Sequence, residues 1–130
     1  MALSYNGMSK LLESNVAELF FVRRHKKQGW PMTRRMLCTN SFKLLGSIGG
    51  RLALNFRVPT HLPPYDAKEE GLFITWDFFM QDFRAIPLES VSVVMAIPVK
   101  TKKEIDLFWE WFEKTLRPMS SDNKKSVMKK

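Results

Sequence analysis

The chain has 130 residues, 45% of them hydrophobic and 12% aromatic, enough apolar side chain for one compact core and too much for wholesale disorder. It carries 21 Lys+Arg against 13 Asp+Glu, a net charge of +8. A single cysteine, Cys38, excludes an intramolecular disulfide and a cysteine-based zinc site, and fits a reducing compartment.

The first residues, Met-Ala-Leu-Ser-Tyr-Asn-Gly, lack the charged and then apolar regions of a secretory signal. Apolar runs of about four to five residues fall far short of the roughly 20 that span a bilayer. The expected location is therefore intracellular, in the cytoplasm or nucleus, with the protein soluble or peripheral.

In chain order, residues 9–16 read as a short helix capped by Ser9, with Leu11, Leu12 and Val16 on one side. Residues 19–22 are dense in β-formers and residues 34–39 read as a returning strand, so the two predict a hairpin. Its tip, residues 25–33, is long and basic, with Gln28-Gly29 as turn chemistry. Asn40-Ser41 should cap a helical turn through Phe42, Leu44 and Leu45, broken by Gly46-Ser47-Ile48-Gly49-Gly50. Leu52, Leu54 and Phe56 alternate with Ala53, Asn55 and Arg57, the period of a half-buried strand.

Residues 59–70, with Pro59, Pro63 and Pro64, form the longest expected loop. Residues 72–76 read as a strand, and Phe79 and Phe83 at i,i+4 favour a short helix within residues 77–84. Val91, Val93, Val94 and Ile97 make the clearest strand, ended by Pro98. Thr101 and Glu104 form a capping box at the head of the clearest helix, whose stripe is Ile105, Phe108, Trp109, Phe112 and Leu116. Together these elements predict an α+β fold. It is a small single domain over residues 1–119: an antiparallel sheet of four or five strands with a C-terminal amphipathic helix packed on it. Residues 120–130 form a basic flexible tail.

The charge is unevenly placed. Residues 19–65 contain no Asp or Glu but nine Lys/Arg: Arg23, Arg24, Lys26, Lys27, Arg34, Arg35, Lys43, Arg51 and Arg57. The remaining 12 Lys/Arg and 13 Asp/Glu nearly cancel, so the whole excess resides in this stretch. Residues 66–116 hold ten acidic against six basic residues, which makes the molecule electrically polar. A surface that only solubilises normally mixes signs, and a one-sided field suits a polyanion.

Guanidinium forks and ammonium points bind phosphate, and Trp30 amid the basic run offers a stacking platform worth roughly 1–3 kcal/mol per base. The expected function is non-enzymatic nucleic-acid binding, with RNA or other single strands (ssDNA) favoured because no duplex-reading motif is present. Arg23, Arg24, Lys26, Lys27, Arg34, Arg35, Arg51 and Arg57 would hold phosphate, with Trp30 stacking on a base. Lys124, Lys125, Lys129 and Lys130 would add an electrostatic arm. A viral nucleoprotein or accessory factor is one role that suits this composition. The alternative is a matrix or scaffold module. It would lay the same face on an anionic membrane or acidic protein and form homo-oligomers through the flank of helix 104–116, at Leu107 and Trp111.

Other chemistry finds little support. Gly46-Ser-Ile-Gly-Gly-Arg51 lacks the spacing and the Lys-Ser/Thr of a phosphate loop and reads as a loop with positive φ. His25 and His61 have no acidic neighbour in sequence, and Asp77 and Asp82 are wrongly spaced to pair on one helix face. Cys38 reads as a small buried hydrophobe. No catalytic residues, metal site or cofactor are expected. Leu62-Pro63-Pro64-Tyr65 narrowly misses the PPxY ligand of WW domains and reads as a bridging loop.

Overall fold

A computed structural model of the protein describes residues 4–24, 32–54, 59, 62–63 and 68–116. The fold is α+β: a five-stranded antiparallel sheet in the order β4-β3-β2-β1-β5, with helices on its sides.

Helix α1 (Tyr5–Ser14) begins earlier than residue 9, because Ser4 is the cap: its Oγ accepts the Gly7 N–H at 3.0 Å. It ends before Val16, where Asn15 turns extended and its side-chain amide donates to the Leu11 carbonyl at 2.9 Å. Val16 thus belongs to strand β1 (Asn15–Val22), not to a helical face. Strand β1 pairs antiparallel with β2 (Thr33–Thr39), from Val16↔Thr39 to Val22↔Thr33, as the hairpin reading required. The hairpin tip, residues 25–31, lies outside the described residues.

Ser41 caps the short α2 (Phe42–Leu45) as expected. The next segment departs from expectation. Ser47 caps a further helix, α3 (Ile48–Ala53), by accepting the Gly50 N–H at 3.1 Å, so residues 52–53 are helical and Leu54 is the C-cap rather than part of a strand. Phe56 and Arg57, the rest of that expected strand, lie outside the described residues. The glycines here do not supply positive φ; among described glycines only Gly71 has one, at 71°. They supply closeness: a Cβ on Gly49 or Gly50 would lie 2.9 Å from the Trp109 ring. Trp109 in turn donates its Nε1–H to Ser47 Oγ at 2.9 Å, locking α3 onto the C-terminal helix.

Strands β3 (Leu72–Asp77) and β4 (Asp82–Pro87) pair fully, from Leu72↔Pro87 to Asp77↔Asp82. The helix expected within residues 77–84 is therefore a turn and a strand. The Asp77 carboxylate accepts the Phe79 and Met80 N–H groups at 2.9 and 3.4 Å, an Asx turn that offers the backbone an alternative to helix. Gln81 then takes φ 51°, in the left-handed region, and completes the reversal. The β2–β3 junction is short, Cys38↔Asp77 and Thr39↔Trp76, extended by the Phe78 N–H on the Leu37 carbonyl at 3.0 Å.

Strand β5 (Ser92–Pro98) pairs with the free side of β1. Helix α4 (Lys102–Trp111) carries the expected capping box: Thr101 Oγ accepts the Glu104 N–H at 3.2 Å, and Glu104 accepts the Thr101 N–H at 2.9 Å. It runs on as a wider, π-type turn, Phe112–Leu116. The predicted stripe Ile105, Phe108, Trp109, Phe112 and Leu116 is buried. Phe108, Trp109 and Phe112 lie 5.5–6.3 Å from the Phe78 ring, which itself packs edge-on against Trp76 at 5.1 Å. Helix α4 therefore covers the side of the sheet that Trp76 faces. Among the described residues no helix is long and apolar enough to cross a membrane.

Candidate nucleic-acid interface

Side chains alternate along a strand and register partners share a side. Phe21 pairs with Arg34 and Phe20 with Arg35, so the two neighbouring arginines of β2 face opposite ways. On the Phe21 side, Ala17, Leu19, Met36, Cys38, Phe73, Thr75, Asp77 and Ile86 are buried. Where that buried layer meets solvent, at the end of β1, a cleft of about 330 Å³ opens. Arg23, Arg24, Arg34 and Arg84 line it, with Glu70 and the apolar walls Phe21, Leu72, Ala85 and Pro87. The end of β1 is held in place by Ser90, whose Oγ accepts the Val22 N–H and donates to the Val22 carbonyl, both at 3.1 Å.

The acid-free stretch meets its acids in space. The Arg24 guanidinium forks onto Glu89, Nε to Oε2 at 2.8 Å and Nη2 to Oε1 at 2.7 Å. That fork holds the Glu89 carboxyl well below its usual range, at about 2. Arg34 donates to the fully buried Asp77 at 2.8 Å. Burial pushes the Asp77 carboxyl up, while the Phe79 N–H, Arg34 and the Met80 N–H pull it down. Burial also lowers the Arg34 pKa; Asp77 works against that, and the nearby charges of Arg23 and Arg84 add to the lowering. Arg84 reaches Asp82 at 3.3 Å and the Phe83 carbonyl at 3.0 Å.

The sequence-predicted residues thus divide. Arg23, Arg24 and Arg34 meet in the cleft, joined by Arg84, which charge counting over residues 19–65 had left out. Arg35 lies on the other side of β2, 3.7 Å from Glu18 and stacked 5.4 Å from the Phe20 ring centroid. Burial raises the Glu18 pKa and Arg35 opposes it. Arg51 is exposed on α3 and does not line the cleft. Lys43 reaches the Lys100 carbonyl at 3.0 Å, ahead of α4. Lys26, Lys27, Trp30 and Arg57, like His25, His61 and the tail from residue 120, lie outside the described residues.

The Phe79–Phe83 spacing favoured a helix over this segment and so hid Arg84, which the β3–β4 register sets opposite Thr75. Cys38 is fully buried and its thiol is pushed far above its ordinary pKa by that burial, which keeps it unreactive at neutral pH. Among the described residues no three His, Cys, Asp or Glu gather as a metal site. Comparison with protein-family models, with curated proteins and with solved structures gives no match, so the chemistry of this cleft rests on its own geometry.

Proposed function

We propose that the protein is a non-enzymatic nucleic-acid-binding module that holds single strands, RNA or DNA, in the arginine cleft and along the basic hairpin beyond it. The observation that carries this reading is the convergence of Arg23, Arg24, Arg34 and Arg84 at one opening walled by Phe21, Leu72 and Pro87. A phosphodiester needs donors in a fork and a base or sugar needs an apolar wall, and the cleft offers both.

Arg34, tied to Asp77, serves as the rigid floor. Arg24 grips Glu89 with the same two-bond fork that a guanidinium uses on phosphate, so an incoming phosphate exchanges with that carboxylate. Lys26, Lys27 and Trp30 lie within six residues of Arg24 in the sequence.

The test is fluorescence anisotropy with labelled single-stranded RNA and DNA oligonucleotides at rising salt. Log affinity should fall linearly with log salt, by about 0.7 per phosphate engaged. Arg84→Ala should weaken binding by about tenfold, the size of one lost charge-assisted contact, while the melting temperature stays within a few degrees. Trp30→Ala should abolish tryptophan quenching by the oligonucleotide. If oligonucleotides fail to bind at low salt while anionic vesicles sediment the protein, the reading is wrong and the cleft faces lipid.

A further inference from the structure

We propose that helix α3 is a membrane-contact element, whose outer face of Ile48, Arg51 and Leu52 seats in the headgroup region of an anionic lipid bilayer. This contact is separate from the nucleic-acid reading, since none of the three residues lines the arginine cleft.

The polarity of α3 is inverted. A surface helix normally turns its large apolar residues inward. Here the inward side is made of small residues: Gly49 and Gly50 lie against Trp109, and Ala53 is buried. Ile48, Arg51 and Leu52, at i, i+3 and i+4, share the outward side. Ile48 is 79% exposed and Leu52 58%, the two highest values of any large apolar residue among those described. The close approach of Trp109 accounts for the glycines. It does not account for Ile48 and Leu52, where polar side chains would serve the fold as well.

Charge and size select lipid as the occupant. Neither α2 nor α3 contains an acidic residue. Among the described residues no carboxylate pairs with Lys43 or Arg51. Lys43 reaches the Lys100 carbonyl at 3.0 Å, which brings the exposed Lys100 to the same corner. Unanswered cations beside apolar side chains match an anionic leaflet. Two side chains fall far short of the ~800 Å² that each partner gives to a stable protein interface, whereas a bilayer accepts single inserted side chains. The backbone of the corner is closed, so no orphaned polar group opposes entry. The Gly46, Ser47, Arg51 and Leu54 N–H groups donate to the Phe42, Leu44, Ser47 and Gly50 carbonyls at 2.8–3.2 Å.

The test is co-sedimentation of the full chain, after nuclease treatment, with vesicles of phosphatidylcholine alone or with roughly one-third phosphatidylserine. The phosphatidylserine vesicles should carry the protein down at low salt, and phosphatidylcholine alone should carry far less. Ile48→Ser combined with Leu52→Ser should weaken binding by at least about tenfold, and Arg51→Ala by about fivefold. Melting temperatures should stay within a few degrees, as befits exposed positions. Arg84→Ala, in the cleft, should release the vesicles less than Arg51→Ala does. An environment-sensitive dye on Ile48→Cys should shift to the blue on these vesicles, while one on Ala85→Cys at the cleft wall stays in water. Cys38 is buried and takes no dye. Failure of phosphatidylserine vesicles to sediment the protein at low salt overturns the proposal. So does sedimentation that the folded double variant leaves unchanged, or a blue shift at Ala85 in place of Ile48, which puts lipid at the cleft. Should the double variant fail to fold, a dye at Ile48 that stays in water overturns it.

Discussion

The two edges of the sheet solve the same backbone problem in opposite ways. Strand β4 carries Asp82 and Arg84, and its Arg84, Ala85 and Pro87 help to wall a cleft of four arginines. Strand β5 carries no charge and borders a groove that is apolar apart from a capping glutamate. Charge resists pairing with another strand at the β4 edge, whereas a bulge at Val94 and the terminal Pro98 do so at the β5 edge. The difference teaches that the two margins of one sheet can be protected by different means, while the interior between them is apolar apart from a few buried polar groups such as Asp77 and Thr75.

The largest test of that contrast is Asp77→Ala. It strands the partly buried Arg34 and leaves the Phe79 and Met80 N–H groups without their acceptor, so stability should drop by about 3–5 kcal/mol in urea titration. Because β3–β4 joins β2 through a short ladder, amides of β4 should lose exchange protection before those of β5. Equal loss at both edges would show that they are one cooperative unit.

Gly50→Ala probes the β5 side. The new Cβ would sit 2.5 Å from the Leu45 carbonyl oxygen and 2.7 Å from that of Leu44, against the Trp109 ring, and should cost about 1–3 kcal/mol by thermal melting. It should loosen α4, and with it the groove, while oligonucleotide binding persists in whatever fraction remains folded. Loss of oligonucleotide binding in the folded fraction as well would break the contrast.

The smallest effect sharpens it. Glu89→Gln removes the anion that competes for Arg24, so oligonucleotide affinity should rise a few-fold, for a small loss of stability from an exposed pair. The pH dependence has a definite sign. The Glu89 pKa is depressed from 4.5 to about 2 by Arg24, so its contribution is present above the ordinary value and is lost as pH falls through the folded one. Wild type should therefore lose its advantage over Glu89→Gln between about pH 4.5 and 2, as followed by acid titration of the circular dichroism signal. An advantage that persists to pH 2 would place the stabilisation elsewhere.

Much of the fold was legible because its signals are local. The Thr101–Glu104 capping box, the α4 stripe, the Ser41 cap and the β-former runs of β1, β2, β3 and β5 each depend on residues a few positions apart. The failures have equally local causes. Leu52 and Leu54 alternate like a strand, but Ser47 is a helix cap and the glycines are shaped for Trp109. Phe79 and Phe83 sit at helical spacing, but the Asp77 carboxylate turns the chain between them. Ser4 outcompeted Ser9 as the cap of α1.

By itself, the amino-acid sequence determined that the basic charge is concentrated around one hairpin and that an amphipathic helix closes the domain, since both follow from composition and short-range period. Only the tertiary structure decided which arginines meet and which are already answered. Arg84 joins from a strand 50 residues further along, while Glu89 and Asp77 arrive from 65 and 43 residues away to neutralise Arg24 and Arg34. Charge in a sequence is a sum along the chain; charge at a site is a sum over a few ångströms, and only folding brings those terms together.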